Sequence, residues 1–318
     1  CFMNSILQCL RHTKPLVDFC LNGKYRNEIQ ENINCSFVAA YTKLMRVTSG
    51  TSPYVSPCEF REHITRLTDR YKDYSQHDAQ EFLIFLLEML HCDLKRLNVS
   101  EIGGGGGAVV GIPKSKKESE IWNLFNNKEE SEIINIFVGS LVSSLKCSNC
   151  KTKSKSSEPF LDLSLPLAEN DKSEMTLNDC LAYFTKVEVL NGDNKPLCEH
   201  CNSKQTFHKK LRFEKFPQIL ILHLKRFSIA EKQENLIKFP LKKLNLTKFA
   251  ASKSCPVLYD LYAVSNHMGS LNKGHYTACA KSDVTSLWNE YNDSRLTRID
   301  ESQVVTSNAY ILFYERIL

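Results

Sequence analysis

Three short stretches hold residues able to do covalent chemistry together. Cys1-Phe-Met-Asn4-Ser5-Ile-Leu-Gln8 places a thiol at the head of an apolar run, Gly274-His275-Tyr276 supplies an imidazole, and Tyr291-Asn292-Asp293-Ser294 supplies side chains able to hold a ring. A thiol attacks only as thiolate, and a cysteine at a helix N-terminus beside an imidazole meets both electrostatic conditions for losing its proton. The set reads as a cysteine hydrolase, with Cys1 as nucleophile and His275 as base. Asn292 would orient the ring, whereas Asp293 would also stabilise its cation; spacing does not choose between them.

A second constellation is metal-binding. Cys147-Ser-Asn-Cys150 and Cys198-Glu-His-Cys201 each set two thiols on a tight knuckle. Two such knuckles complete a tetrahedral site with four thiolates, which suits structural zinc and leaves no open position for chemistry. The gap between the pairs is longer than in a compact ribbon, so the ion is expected to join the tips of two hairpins. His200, inside the second knuckle, is expected to face solvent.

These residues must be held by folded elements. Up to about Leu97 the periodicity is helical: Ile6, Leu7 and Leu10 recur at helical spacing, as do Phe37, Val38, Tyr41, Leu44 and Met45. Ser75-Gln-His-Asp78 has the form of a capping box before the apolar run Phe82–Leu90. Gly103–Gly107 and the polar stretch after Pro113 read as a flexible insertion. Beyond it the period shifts toward two, and Ile133–Cys147, Leu211–Phe227, Leu258–Val264, His275–Lys281 and Tyr310–Tyr314 read as strands.

Composition narrows the class. The 318 residues are 42% hydrophobic and 24% charged, a profile for a folded globular chain rather than a disordered one. Uninterrupted apolar runs of membrane-spanning length are absent, so no membrane association is expected. The net charge of +5 is dispersed along the sequence, which argues against a nucleic-acid partner. Thirteen cysteines, four of them in knuckles, fit metal ligands plus free thiols better than a disulfide framework, so a reducing compartment is expected. Asn-x-Ser/Thr triplets at Asn34, Asn98, Asn245 and Asn292 are therefore read as chance matches. A chain starting on Cys rather than Met has the form of a fragment.

Taken together, the residues resemble the ubiquitin-specific proteases, papain-like cysteine deubiquitinases. Cys1-Phe-Met-Asn-Ser-Ile-Leu-Gln resembles that family's cysteine box and Tyr74-Ser-Gln-His-Asp-Ala-Gln-Glu-Phe82 its helix motif. His223-Leu-Lys-Arg-Phe227 resembles its central strand, and Gly274-His-Tyr-Thr-Ala278 with Tyr291-Asn-Asp-Ser294 its histidine box. The resemblance implies an α+β, papain-like fold in a single catalytic domain, with a helical thumb over residues 1–100, an insertion over 101–130, zinc-binding β fingers largely over 131–228, and a β-rich palm largely over 229–318.

It also implies Cys1 as nucleophile, His275 as base, Asn292 as the orienting residue and Asp293 as a polarising neighbour. Cys147, Cys150, Cys198 and Cys201 would bind structural zinc, with no catalytic cofactor. Asp78 and Glu81 would face the arginines of ubiquitin's tail. The expected partners are ubiquitin and ubiquitinated proteins, the expected state a monomer, and the expected location cytoplasm or nucleus. The rival readings are a protease for another ubiquitin-like modifier and a non-catalytic ubiquitin-binding scaffold. Two departures stand out: Lys273 precedes Gly274 where the family has a second glycine, and the family's oxyanion-hole asparagine belongs to a stretch before the first residue given. Without that donor, turnover is expected to fall by about 10²- to 10³-fold.

Overall fold

The computed structural model describes residues 1–23, 37–48, 55–73, 75–99, 131–167, 174–227, 232–252, 255–270 and 273–317. The expected insertion over 101–130 lies outside them. The helices are α1 (Phe2–Arg11), α2 (Lys14–Leu21), α3 (Phe37–Thr48), α4 (Cys58–Leu67), α5 (Ala79–Val99), α6 (Glu132–Phe137) and α7 (Leu177–Phe184). The strands are β1 (Gly139–Cys147), β2 (Lys153–Phe160), β3 (Asp162–Pro166), β4 (Met175–Thr176), β5 (Glu188–Leu190), β6 (Leu197–Cys198), β7 (Ser203–Lys204), β8 (Phe207–Lys215) and β9 (Ile219–Lys225). They continue with β10 (Ile237–Lys238), β11 (Leu244–Asn245), β12 (Leu258–Gly269), β13 (Gly274–Lys281), β14 (Trp288–Asn292), β15 (Arg295–Ile299) and β16 (Ala309–Arg316). No helix among the described residues is long and apolar enough to cross a membrane.

The chain divides into two compact units. The first comprises residues 1–136 and 262–304. Here β15, β14, β13 and β12 lie side by side in antiparallel register, and α1 packs on β13 and α5. Ile6, Leu7, Cys9 and Leu10 form the buried stripe of α1, at the spacing that puts residues on one helical face. The stripe also buries Ser5, whose hydroxyl meets Ser265 Oγ at 2.7 Å and donates to Thr277 O at 2.9 Å. A buried hydroxyl without partners would be costly, so these bonds fix α1 on the sheet in one register.

Helix α5 buries Ala79, Phe82, Leu83, Leu86, Leu87 and Leu90. Its cap differs from the expectation. Asp78 Oδ1, rather than Ser75, accepts from the backbone N–H of Gln80 at 2.6 Å and Glu81 at 3.3 Å, while the Ser75 hydroxyl turns back to Asp73. A carboxylate suits this end because it faces the positive pole of the helix.

The second unit comprises residues 137–261 and 305–318. It contains a sheet ordered β2-β1-β8-β5, and a second group in which β9 pairs antiparallel with β16 and parallel with β3. Strand β9, Ile-Leu-Ile-Leu-His-Leu-Lys, is buried at Ile219, Leu220, Ile221, Leu222 and Leu224, as a strand covered on both faces should be.

Two strand expectations are corrected. Ile133–Phe137 belongs to α6, and the strand begins only at Gly139; a short apolar run does not distinguish helix from strand by periodicity. The expected strand Leu211–Phe227 is two, β8 and β9, parted by Phe216-Pro217-Gln218. Proline has no N–H to give a ladder, which accounts for the break.

Candidate active site and four-cysteine cluster

All four residues of the proposed catalytic set lie in the first unit. Cys1 is the N-cap of α1, and its carbonyl accepts the first helical hydrogen bond, from Ser5 N–H, at 2.9 Å. The thiol therefore sits at the positive end of the helix dipole. Burial pushes the Cys9 thiol well above the usual range and Cys279 up to about 12, which keeps both as inert thiols.

His275 is the second residue of β13. A Cβ on Gly274 would stand 2.1 Å from His267 Nε2, so only glycine lets the strand pass here. Gly274 N–H donates to Gln76 Oε1 at 3.0 Å, tying the strand's start to the segment before α5. His275 Nε2 lies 2.8 Å from Asn292 Oδ1, at the end of β14. An amide oxygen can only accept, so Nε2 carries the proton and Nδ1 is left with its lone pair, the form a general base needs.

Asp293 follows in a two-residue turn, since Asn292 pairs with Arg295 across the hairpin. Its φ of 49° is in the left-handed region, which aspartate tolerates better than most residues. Its carboxylate accepts from Asn4 Nδ2 at 2.7 Å and lies 3.9 Å from His275 Nε2 and 4.0 Å from the Cys1 nitrogen. The structure thus brings Cys1, Asn4, His275, Asn292 and Asp293 to one place. It also separates the two candidates for the orienting role: Asn292 makes the ring's hydrogen bond, and Asp293 stands beyond it, bonded to α1.

Asp78 and Glu81 are committed within this unit. Asp78 caps α5, and Glu81 is ion-paired with Arg70. A further contact, absent from the sequence reading, couples the far end of α1 to the same strand. His12 Nδ1–H donates to Gln8 O at 2.8 Å, so Nε2 is the acceptor for the Tyr291 hydroxyl at 3.0 Å. Burial holds the His12 pKa below the usual imidazole value, consistent with a neutral ring. No local pattern marks His12; only the pairing of the helix end with the residue before Asn292 gives it a role.

The four cysteines lie in the second unit. Cys147 and Cys150 turn the β1–β2 hairpin, and Cys198 and Cys201 turn β6–β7. The residue after each knuckle, Lys151 at φ 63° and Asn202 at φ 50°, is left-handed, so the two turns repeat one backbone device. Their sulfurs all lie within 4.8 Å of one another, with Cys150–Cys198 at 3.6 Å and Cys147–Cys201 at 4.0 Å. A tetrahedral ion with metal–sulfur bonds of about 2.3 Å requires sulfurs about 3.8 Å apart, so the cluster fits a metal ion. Asn149 Nδ2 donates to Cys201 Sγ at 3.5 Å, the kind of bond that orients a ligating thiolate. His200 is exposed. Among the described residues no two cysteines are joined by a disulfide.

Comparison with known proteins agrees with this geometry. Human ubiquitin carboxyl-terminal hydrolase 2 is 42% identical over 323 residues, covering 99% of this chain and 53% of that protein. The chicken protein of that name is 44% identical, covering 99% of this chain and 90% of its own, and mouse ubiquitin carboxyl-terminal hydrolase 21 is 37% identical, covering 99% and 60%. The chain spans about half the length of the mammalian relatives it matches. Among solved structures, Ubp8 in the SAGA DUB module bound to ubiquitin aldehyde is similar with a TM-score of 0.79 at 28% identity, covering 100% of this chain and 68% of that one. The family model for ubiquitin carboxyl-terminal hydrolase matches residues 1–314, and the chain belongs to that family.

Proposed function

We propose that the protein is a thiol-dependent deubiquitinase, hydrolysing the isopeptide bond after the C-terminal glycine of ubiquitin on protein conjugates. The observation that carries this is the 2.8 Å bond between His275 Nε2 and Asn292, because it leaves Nδ1 as the base for a cysteine at a helix N-terminus. In the first half-reaction Nδ1 takes the thiol proton, Cys1 Sγ attacks the glycine carbonyl, and the imidazolium returns the proton to the departing lysine amine. In the second, the same nitrogen deprotonates water, which cleaves the thioester and releases the ubiquitin carboxylate. Asn292 holds the ring through both steps, and Asp293, 3.9 Å from Nε2, favours the imidazolium that each step forms.

Further readings rest on the same proposal. The four cysteines hold structural zinc, which stabilises the β hairpins and takes no part in the chemistry. On this reading residues 1–100 form a helical thumb, 131–228 largely the fingers and 229–318 largely the palm. Asp78 meets an arginine of ubiquitin's tail with the carboxylate that caps α5, and Glu81 exchanges Arg70 for another. The domain acts as a monomer on ubiquitin and its conjugates, without nucleic acid or membrane, in cytoplasm or nucleus; the free thiols support a reducing location.

The test is covalent trapping with ubiquitin bearing a C-terminal thiol-reactive group, mapped by mass spectrometry. An adduct on Cys1 that fails to form in His275→Ala supports both nucleophile and base. A folded protein that binds ubiquitin without an adduct indicates the scaffold reading, and one that does not bind ubiquitin indicates another modifier.

A further inference from the structure

The cations that the sequence disperses are gathered by strand pairing. On β1, Leu141, Ser143 and Cys147 are buried, so Val142, Ser144 and Lys146 project to the opposite face of the sheet. The register sets Lys146 between Lys153 of β2 and His208 of β8, and Ser144 between Lys155 and Lys210. One row further on, Val142 lies between Ser157 and Arg212, whose guanidinium donates to Ala250 O at 2.9 Å. Among the described residues Lys146, Lys153, Lys155 and Lys210 make no ion pair. The acid sharing this face, Glu214, accepts from the Ser140 and Ser157 hydroxyls at its far end.

Like charges placed directly opposite across strands cost stability. Lysines on an edge strand are a common protection against stray pairing, and that explains Lys153 and Lys155. It does not explain Lys146 and Lys210, which sit on the two interior strands of the sheet. Strand β2 is also the end of the sheet, exposed at every residue from Lys153 to Glu158, so one backbone edge is open to a further strand. Among the described residues of β1, β2 and β8 this face carries one ring, His208, because Phe207 and Phe213 alternate onto the buried side. That disfavours single-stranded nucleic acid, whose binding leans on aromatic platforms.

We propose that this basic face and its open edge dock an extended acidic segment of a partner protein, added to β2 as a new outer strand. Acidic side chains at alternate positions, about 7 Å apart along the strand, would match Lys153 and Lys155, with Lys146 behind them. The inference stands independently of the hydrolase reading.

The experiment is fluorescence anisotropy of the zinc-loaded chain with a labelled peptide in which glutamate alternates with threonine and valine. Compared with it are a peptide of equal composition with its glutamates clustered, oligo(dT) of equal charge, and phosphatidylserine vesicles. The alternating peptide should bind tightest, and Lys146→Glu with Lys155→Glu should weaken it by about tenfold or more, with Lys204→Glu as an indifferent control. Where the double variant melts early, Lys146→Gln with Lys155→Gln should still give a smaller loss. N-methylation of every second peptide nitrogen should abolish binding in one frame and spare it in the other, as strand addition requires. Preference for oligo(dT), for vesicles or for clustered glutamates would overturn the proposal, as would indifference to the lysine variants or to methylation frame.

Discussion

Cys1, His275 and Asn292 come from a helix start, a strand start and a strand end, whereas the four knuckle cysteines come from one turn used twice. The first site depends on how α1 lies on β12, β13 and the β14 hairpin: Ser5 on Ser265 and Thr277, Asn4 on Asp293, His12 on Tyr291. The second depends on two short stretches whose backbone shape is local. Chemistry assembled from distant elements is sensitive to packing throughout its unit, while a metal cluster gathers its ligands and stabilises whatever hairpins carry them. The two sites should therefore fail in different ways.

The largest separation is expected from Cys1→Ala. Turnover of a ubiquitin–fluorophore conjugate should fall by about 10⁴-fold or more, with ubiquitin affinity and melting little changed. Residual activity near that of the unmodified protein would remove Cys1 from the mechanism. Chelation, or Cys198→Ser, should do the reverse, releasing on the order of 10 kcal/mol of metal-coupled folding energy from the hairpins. Hydrogen exchange should show lost protection in β1, β2 and β8, with protection of α1 and β13 falling less; unchanged protection would contradict a structural metal.

Finer probes act on the packing around His275. Asn292→Ala should lower turnover by about 10²-fold, and Asn292→Asp should recover part of it, because a carboxylate still accepts from Nε2. Equal loss in both would point to a merely structural residue. His12 is the mildest probe. Its folded pKa is depressed, so the unfolded chain binds the extra proton first, and stability is lost as pH falls from about 6.5 toward the folded value. A denaturation series over that window should slope upward with pH, and His12→Gln should flatten it; a slope unaltered by the substitution would assign it to other groups.

The same contrast explains what was legible in the sequence. The knuckles were readable because paired cysteines at two-residue separation are a local pattern. Helices α1 and α3 were readable because Ile6, Leu7 and Leu10, or Tyr41, Leu44 and Met45, mark a face by spacing alone. The α5 cap was misplaced by three residues because Ser75 and Asp78 are both competent caps, and only the folded chain shows that Ser75 is taken by Asp73. Ile133–Phe137 was read as strand because four apolar residues in five satisfy either period. The choice between Asn292 and Asp293, like the meeting of Lys146 with Lys153 and His208, depends on register, which no single segment contains.

Asn4 and Asp293, whose bond closes the site, are 289 residues apart in the chain. At about 5–20 residues per second, synthesis takes roughly 15–60 s to travel from one to the other. For most of that interval a nascent chain displays its thiol without the imidazole of His275, and the amide of Asn292 follows only at the end. On the proposed hydrolase reading, competence therefore arrives late, because a truncated product ending before the β14–β15 hairpin lacks both Asn292 and Asp293 however well its helices fold.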